Sequence, residues 1–257
     1  MKERYLLGIF YIMTGIIALT MSTPFSEAGM QAFEDTSDVS NSLYYILMIL
    51  GFTAVILLII KFRKSLIKPL FYLLLLITYF YGFLPFIGIM SVIPSLILLY
   101  LLIKTRHWAI INLSAVIIGA TVTSIFGISM EPIPVMILLS VLALYDYVAV
   151  YKTKHMITLA DSISEMRIPV VFIIPGKERD AIMGVGDAVM PNILVVSGFV
   201  FGNCFLIPLV TFVSGIAGLY LLLRMVEKSN EAHPGLPILN FSAIGGYLLG
   251  LGFCQIF

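Results

Sequence analysis

Charge is what this sequence has least of. Asp, Glu, Lys and Arg make up 11% of its 257 residues, against about 25% in an ordinary soluble domain, which excludes a solvated globular surface. A net charge of +1 and a single tryptophan, Trp108, give no reason to expect a nucleic-acid partner. Cysteine is equally scarce: Cys204 and Cys254 cannot form a metal cluster or a disulfide framework. Both fall near one face in the topology below, so a single bridge is conceivable, although nothing in a helix bundle requires one. No repeat between the two halves is evident.

Apolar length replaces charge. Hydrophobic residues are 60% of the chain and its mean hydropathy is +1.08, the composition of an integral membrane protein. At about 20 apolar residues per crossing, nine spans are expected: Tyr5 to Met21, Leu43 to Ile60, Leu70 to Leu84, Phe86 to Ile103, Trp108 to Phe126, Pro132 to Tyr151, Gly186 to Phe201, Leu206 to Met225 and Leu236 to Phe257. The stretch Pro69 to Ile103 is interrupted only by Pro85, Gly88 and Pro94. As one helix it would be ~50 Å long, well beyond the ~30 Å hydrocarbon core, so two crossings fit better. The basic start at Lys2 and Arg4 resembles a signal peptide, but the apolar run is longer than the usual ~7–15 residues, which predicts an uncleaved anchor.

Orientation follows from the basic residues, which cytoplasmic loops retain. With the N-terminus inside, all 15 Lys and Arg fall on the inner side. The first outer loop carries Glu27, Glu34, Asp35 and Asp38 instead, and the fifth-to-sixth turn carries Glu131. The expected fold is therefore an all-α polytopic membrane protein with a cytosolic N-terminus and an outer C-terminus. One membrane-embedded domain covers 1–257: six spans in 1–153, a cytosolic or interfacial connection in 154–182, and three spans in 183–257.

Two carboxylates sit where such groups are expensive. Asp146 follows Tyr145 near the end of the sixth span, and Asp187 closes Gly184-Val185-Gly186-Asp187 at the start of the seventh. An ionised carboxylate in hydrocarbon costs several kcal/mol. Both lie about 9–12 Å from inner-surface charges, counted along a helix rise of 1.5 Å per residue, and antiparallel helices could bring them into contact. Two acids at close range share one proton, the arrangement of aspartic proteolysis. The glycines leave room beside Asp187 for an approaching backbone. The plainer alternatives are that Asp187 caps a helix and that Asp146 is a hydrogen-bonded structural carboxylate. Tyr145 and Tyr147 also fit ordinary packing and interfacial roles.

A third element, His233-Pro234-Gly235-Leu236-Pro237, opens the ninth span. Its two prolines predict extended chain there, tolerated at membrane depth only where protein or a water-filled cavity covers it. In order and spacing, the three elements resemble the signatures of the presenilin and signal peptide peptidase family of intramembrane aspartyl proteases, most closely its archaeal presenilin homologues. The resemblance covers the whole nine-span plan. It implies an intramembrane aspartic endopeptidase of the GxGD type acting on single-span proteins, with Asp146 and Asp187 catalytic. Tyr145, Gly184, Gly186, Pro234, Gly235, Leu236 and Pro237 would shape the site. Gly235 stands where the family's Pro-Ala-Leu motif has Ala.

Presenilins hold the N-terminus in the cytosol, as the charge partition predicts here, so substrates would enter with their N-termini outside. The connection after Tyr151 is far shorter than the loop that presenilins cut during maturation. A single uncut polypeptide is expected, without obligatory partner subunits, homo-oligomerisation remaining open; the membrane is the plasma membrane if the source is prokaryotic. Within the connection, Pro169 to Pro175 is a β-branched run too short to span. It is read either as a reentrant packing segment or as an edge that pairs with unwound substrate; Met156 to Met166 reads as an amphipathic inner-surface extension.

Two other classes compete. A cation or proton channel or transporter would use the same aspartates, and a prepilin-peptidase-type protease shares the glycine-flanked aspartate but gives no reason for nine spans or the third motif. None of these chemistries requires a metal or cofactor, and His107, His155 and His233 are read as solvated or lipid-facing polar residues.

Overall fold

In hydrocarbon each backbone N–H and C=O has to find its partner within the chain's own helices, and the apolar runs fold accordingly. The computed structural model describes residues 2–105, 107–149, 169–176, 180–229 and 234–256. Among them are nine α-helices: α1 (Lys2–Glu27), α2 (Ser40–Phe62), α3 (Ile67–Ile87), α4 (Val92–Thr105), α5 (Trp108–Ser129), α6 (Pro132–Val148), α7 (Val185–Phe201), α8 (Leu206–Ser229) and α9 (Gly235–Ile256). A two-stranded antiparallel hairpin, β1 (Val171–Ile174) and β2 (Ala181–Gly184), precedes α7.

Five helical stretches are long and apolar enough to cross a membrane, with α3 and α4 counted together as Ile67–Thr105. Helices α6 and α7 are apolar but shorter. At 17 residues, α6 and α7 extend about 25 Å; β2 carries the chain into α7 where the helix falls short.

α5 and α7 occupy the centre, with α1 packed on both. The α8–α9 hairpin closes one side, and α2 lies at the periphery against α6. Small residues make the α8–α9 approach possible: a Cβ added at Gly218 would come 2.5 Å from Ser242 Oγ, and one at Gly246 equally close to Ser214 Cβ. The outward faces keep large apolar side chains such as Leu47, Met48 and Phe253 exposed, as a lipid-facing surface requires.

Three expectations change in detail. The break between the expected third and fourth spans falls at Gly88, whose φ of 57° suits glycine, at the start of a 3₁₀ turn over Gly88–Ser91. Pro85 stays inside α3, one turn from its end. The expected ninth span does not open with extended chain through Pro237, because α9 already begins at Gly235. Pro237 falls in the first turn, where a missing N–H costs no helical bond. Finally, Cys204 and Cys254 are joined in a disulfide, which ties the segment before α8 to the end of α9. The amphipathic reading of 156–166, the end of the sixth span at 150–151, His155 and His233 lie outside the described residues.

Candidate active site

The site begins with a stripe on α6. Leu138, Leu139, Leu142, Ala143 and Asp146 recur at intervals of three and four and are all buried, so the carboxylate rides on the apolar face turned into the bundle. Asp146 is 7% exposed. Its Oδ2 accepts the backbone N–H of Leu236 at 3.1 Å, and the N–H of Gly235 is directed at the same carboxylate. These are the first two residues of α9, whose N–H groups have no partner within the helix. A side chain from α6 thus supplies the acceptor that a helix usually finds in its own cap. One turn along α9, buried Asn240 donates its Nδ2 to Leu139 O at 2.9 Å, a second tie between the same helices.

Asp187 is the third residue of α7. Its carboxylate folds back toward Gly184, and it is close enough to Asp146 for the two to interact electrostatically. A Cβ added at Gly184 would lie 3.3 Å from Asp187 Oδ2, and one at Gly235 only 3.0 Å from Oδ1. Glycine at these two positions serves close approach, since Gly184 has an ordinary extended backbone at φ −62°, ψ 140°. Gly186 faces open space. Both carboxylates therefore converge on the start of α9, Asp146 through Leu236 and Asp187 beside Gly235. Helix N-termini also carry partial positive charge, favourable to acidic groups.

A cavity of about 350 Å³ adjoins Asp187, walled by Leu7, Leu219, Leu222, Leu223, Val226 and the whole of β2. The hairpin's register pairs Phe172 with Met183 and Ile173 with Ile182. The N–H of Val185 donates to Val170 O at 3.0 Å. In an antiparallel ladder bonded and non-bonded pairs alternate, so Phe172 and Met183 exchange bonds, while Ile173 and Ile182 turn their backbone groups outward. On β1 the outward groups of Ile173 meet the amide of Asn112 on α5. On β2 the outward edge borders the cavity.

The remaining expected site residues are placed as follows. Pro234 is buried, and Leu236 and Pro237 are partly buried at the head of α9. Tyr145 is 47% exposed, off the buried stripe of α6. His107 accepts the N–H of Ala109 at 3.3 Å and caps α5. β2 and Asn112 went unnoticed in the sequence; the one available signal was an amide at the fifth residue of α5, among apolar neighbours.

The sequence profile of the family described as signal-peptide peptidase, presenilin aspartyl protease matches residues 7–256. The chain belongs to that family. Two solved structures of a presenilin-family intramembrane aspartate protease, in space groups C222 and P2, are similar to it at 34% and 35% identity, with TM-scores of 0.74 and 0.77. Each comparison covers 96% of both chains. Among curated proteins none matches. This presenilin-family chain is an integral membrane protein and an aspartic endopeptidase, and the motif resemblance noted above extends over nearly its whole length.

Proposed function

We propose that the protein hydrolyses peptide bonds within the transmembrane segments of single-span membrane proteins, with Asp146 and Asp187 as its catalytic pair. The convergence of both carboxylates on the N-terminus of α9, beside a cavity, carries this reading. The ionised carboxylate takes a proton from water as the water oxygen attacks the scissile carbonyl carbon, and its protonated partner hydrogen-bonds the carbonyl oxygen. Collapse of the tetrahedral species breaks the C–N bond and returns a proton to the leaving amine. Gly184, Gly186 and Pro234 to Pro237 shape the space around the pair.

A substrate helix must unwind first, because its backbone is shielded and internally hydrogen-bonded. The outer edge of β2 can receive the unwound segment as an added strand, next to Asp187. On this reading β2, which lines the cavity, rather than the Pro169–Pro175 run, is the strand that pairs with substrate.

Nine crossings, a cytosolic N-terminus and an outer C-terminus follow from the partition of Lys and Arg. The Cys204–Cys254 bond supports putting the start of α8 and the end of α9 on one face. Substrates then enter with their N-termini outside, across the plasma membrane if the source is prokaryotic, and no obligatory partner subunit is needed.

The deciding experiment incubates purified protein, Asp146→Ala and Asp187→Ala with a single-span peptide in detergent and identifies products by mass spectrometry. Cleavage by the wild type alone is expected. Wild-type rates in either variant would remove the catalytic pair, and ion flux lost in the variants without proteolysis would favour a channel.

A further inference from the structure

The β1–β2 hairpin has two outer edges, and one is already occupied. Asn112, on central helix α5, donates its Nδ2 to Ile173 O at 2.7 Å and accepts Ile173 N–H on its Oδ1 at 2.8 Å. One side-chain amide thereby reproduces the pair of bonds that a neighbouring strand would make to β1. Asn112 is 1% exposed, so water cannot substitute for it. On the opposite edge, Ile182 of β2 is 50% exposed and lines the cavity beside Asp187.

We propose that Asn112 is a positioning residue for substrate. By sealing the outer edge of β1 it confines strand addition to β2, and by tying the hairpin to α5 it sets the register of an added strand against Asp187. The proposal rests on the reading of β2 as the docking edge. A hairpin of two four-residue strands is marginal by itself, so its placement depends on what holds it. Besides packing, Asn112 supplies a directional hold on the far side from the cavity. β2 runs without a linker into α7, Gly184 being followed at once by Val185, so a hairpin shifted against α5 alters the approach to Asp187 three residues on.

The test uses the full chain in detergent and two hydroxyl-bearing transition-state analogues. One is a dipeptide isostere spanning only the scissile bond; the other carries four further apolar residues on each side. Asn112→Ala is compared with wild type, and Asn112→Leu, which keeps the volume, carries the measurement should the alanine variant not fold. Affinity for the extended analogue should fall about tenfold, the scale of a lost pair of hydrogen bonds. Affinity for the dipeptide should be unchanged, and cleavage of a single-span peptide should spread over more positions. Equal losses for both analogues, or no loss for either, would overturn the role of Asn112 while leaving the aspartate pair standing. An extended analogue that binds the wild type no better than the dipeptide would overturn the β2 reading and the proposal with it.

Discussion

Asp146 Oδ2 accepts the backbone N–H of Leu236 at 3.1 Å, joining two residues 90 positions apart in the chain. One carboxylate thereby does two jobs: it closes the open N-terminus of α9, and it stands beside Asp187. The two can be separated. Asn at position 146 keeps an oxygen that caps nearly as well as Asp, but cannot act as an acid or base. Asp146→Asn should therefore retain the wild-type melting temperature in detergent and lose proteolysis by about 10²–10⁴-fold. Asp146→Ala should lose proteolysis as well and, in addition, about 1 kcal/mol of stability. Equal melting temperatures for the two variants would show that the capping bond contributes nothing.

Gly235 presses closest on the second carboxylate. A methyl there would sit 3.0 Å from Asp187 Oδ1, which the carboxylate can relieve by a shift of a few tenths of an ångström. Gly235→Ala, which restores the residue of the family motif, should keep kcat within about tenfold. Gly235→Val pushes the carboxylate further, and misplacement on the scale of 1 Å costs about 10²-fold. Measured kcat values for a single-span peptide, taken with melting temperatures, decide whether the ordering Gly, Ala, Val holds.

Ile182 offers a test of strand addition that spares the hairpin. Its N–H points away from β1, so Ile182→Pro removes no ladder bond while deleting a donor on the edge facing the cavity. KM for a single-span peptide should rise about tenfold, the scale of a lost backbone bond and its neighbour, with the melting temperature little changed. An unaltered KM would exclude β2 as the docking edge. Val171→Pro is less telling, because Val171 also turns its N–H outward, on the β1 side.

The Cys204–Cys254 bond closes a loop with a sequence separation of 50 around the α8–α9 hairpin. Chain entropy sets its contribution at about 4 kcal/mol, an upper figure for helices already confined to a bilayer. Reduction, or Cys204→Ser, should lower the melting temperature measurably. Proteolysis at temperatures well below the transition should persist, since α9 is held at its other end by Asp146 and Asn240. Loss of cleavage at full helicity would show instead that the bond sets the geometry of the site.

Much was legible before any coordinates, because the bilayer makes strong demands on sequence. Hydrocarbon forces apolar runs into helices, so the cores of all the expected spans that lie within the described residues coincide with helices. The cost of a carboxylate in that medium singles out Asp146 and Asp187 whatever the fold. Local chemistry read less well at the turns. Pro85 looked like the break, but a proline near a helix end is tolerated, and the reversal waits for Gly88. Pro234 to Pro237 looked extended, although a proline in a first turn gives up nothing.

What the sequence alone determined was the solvent, the helices and the two acids. Which side chains meet was settled by packing. Only there does Leu236 find Asp146, Gly235 come against Asp187, Asn112 reach across to Ile173 and Tyr145 turn outward. Those contacts join helices distant in the chain, and their formation depends on crossing geometry and on side chains several elements away. A hydrophobic pattern records which face of a helix is buried, but carries no record of what that face will touch.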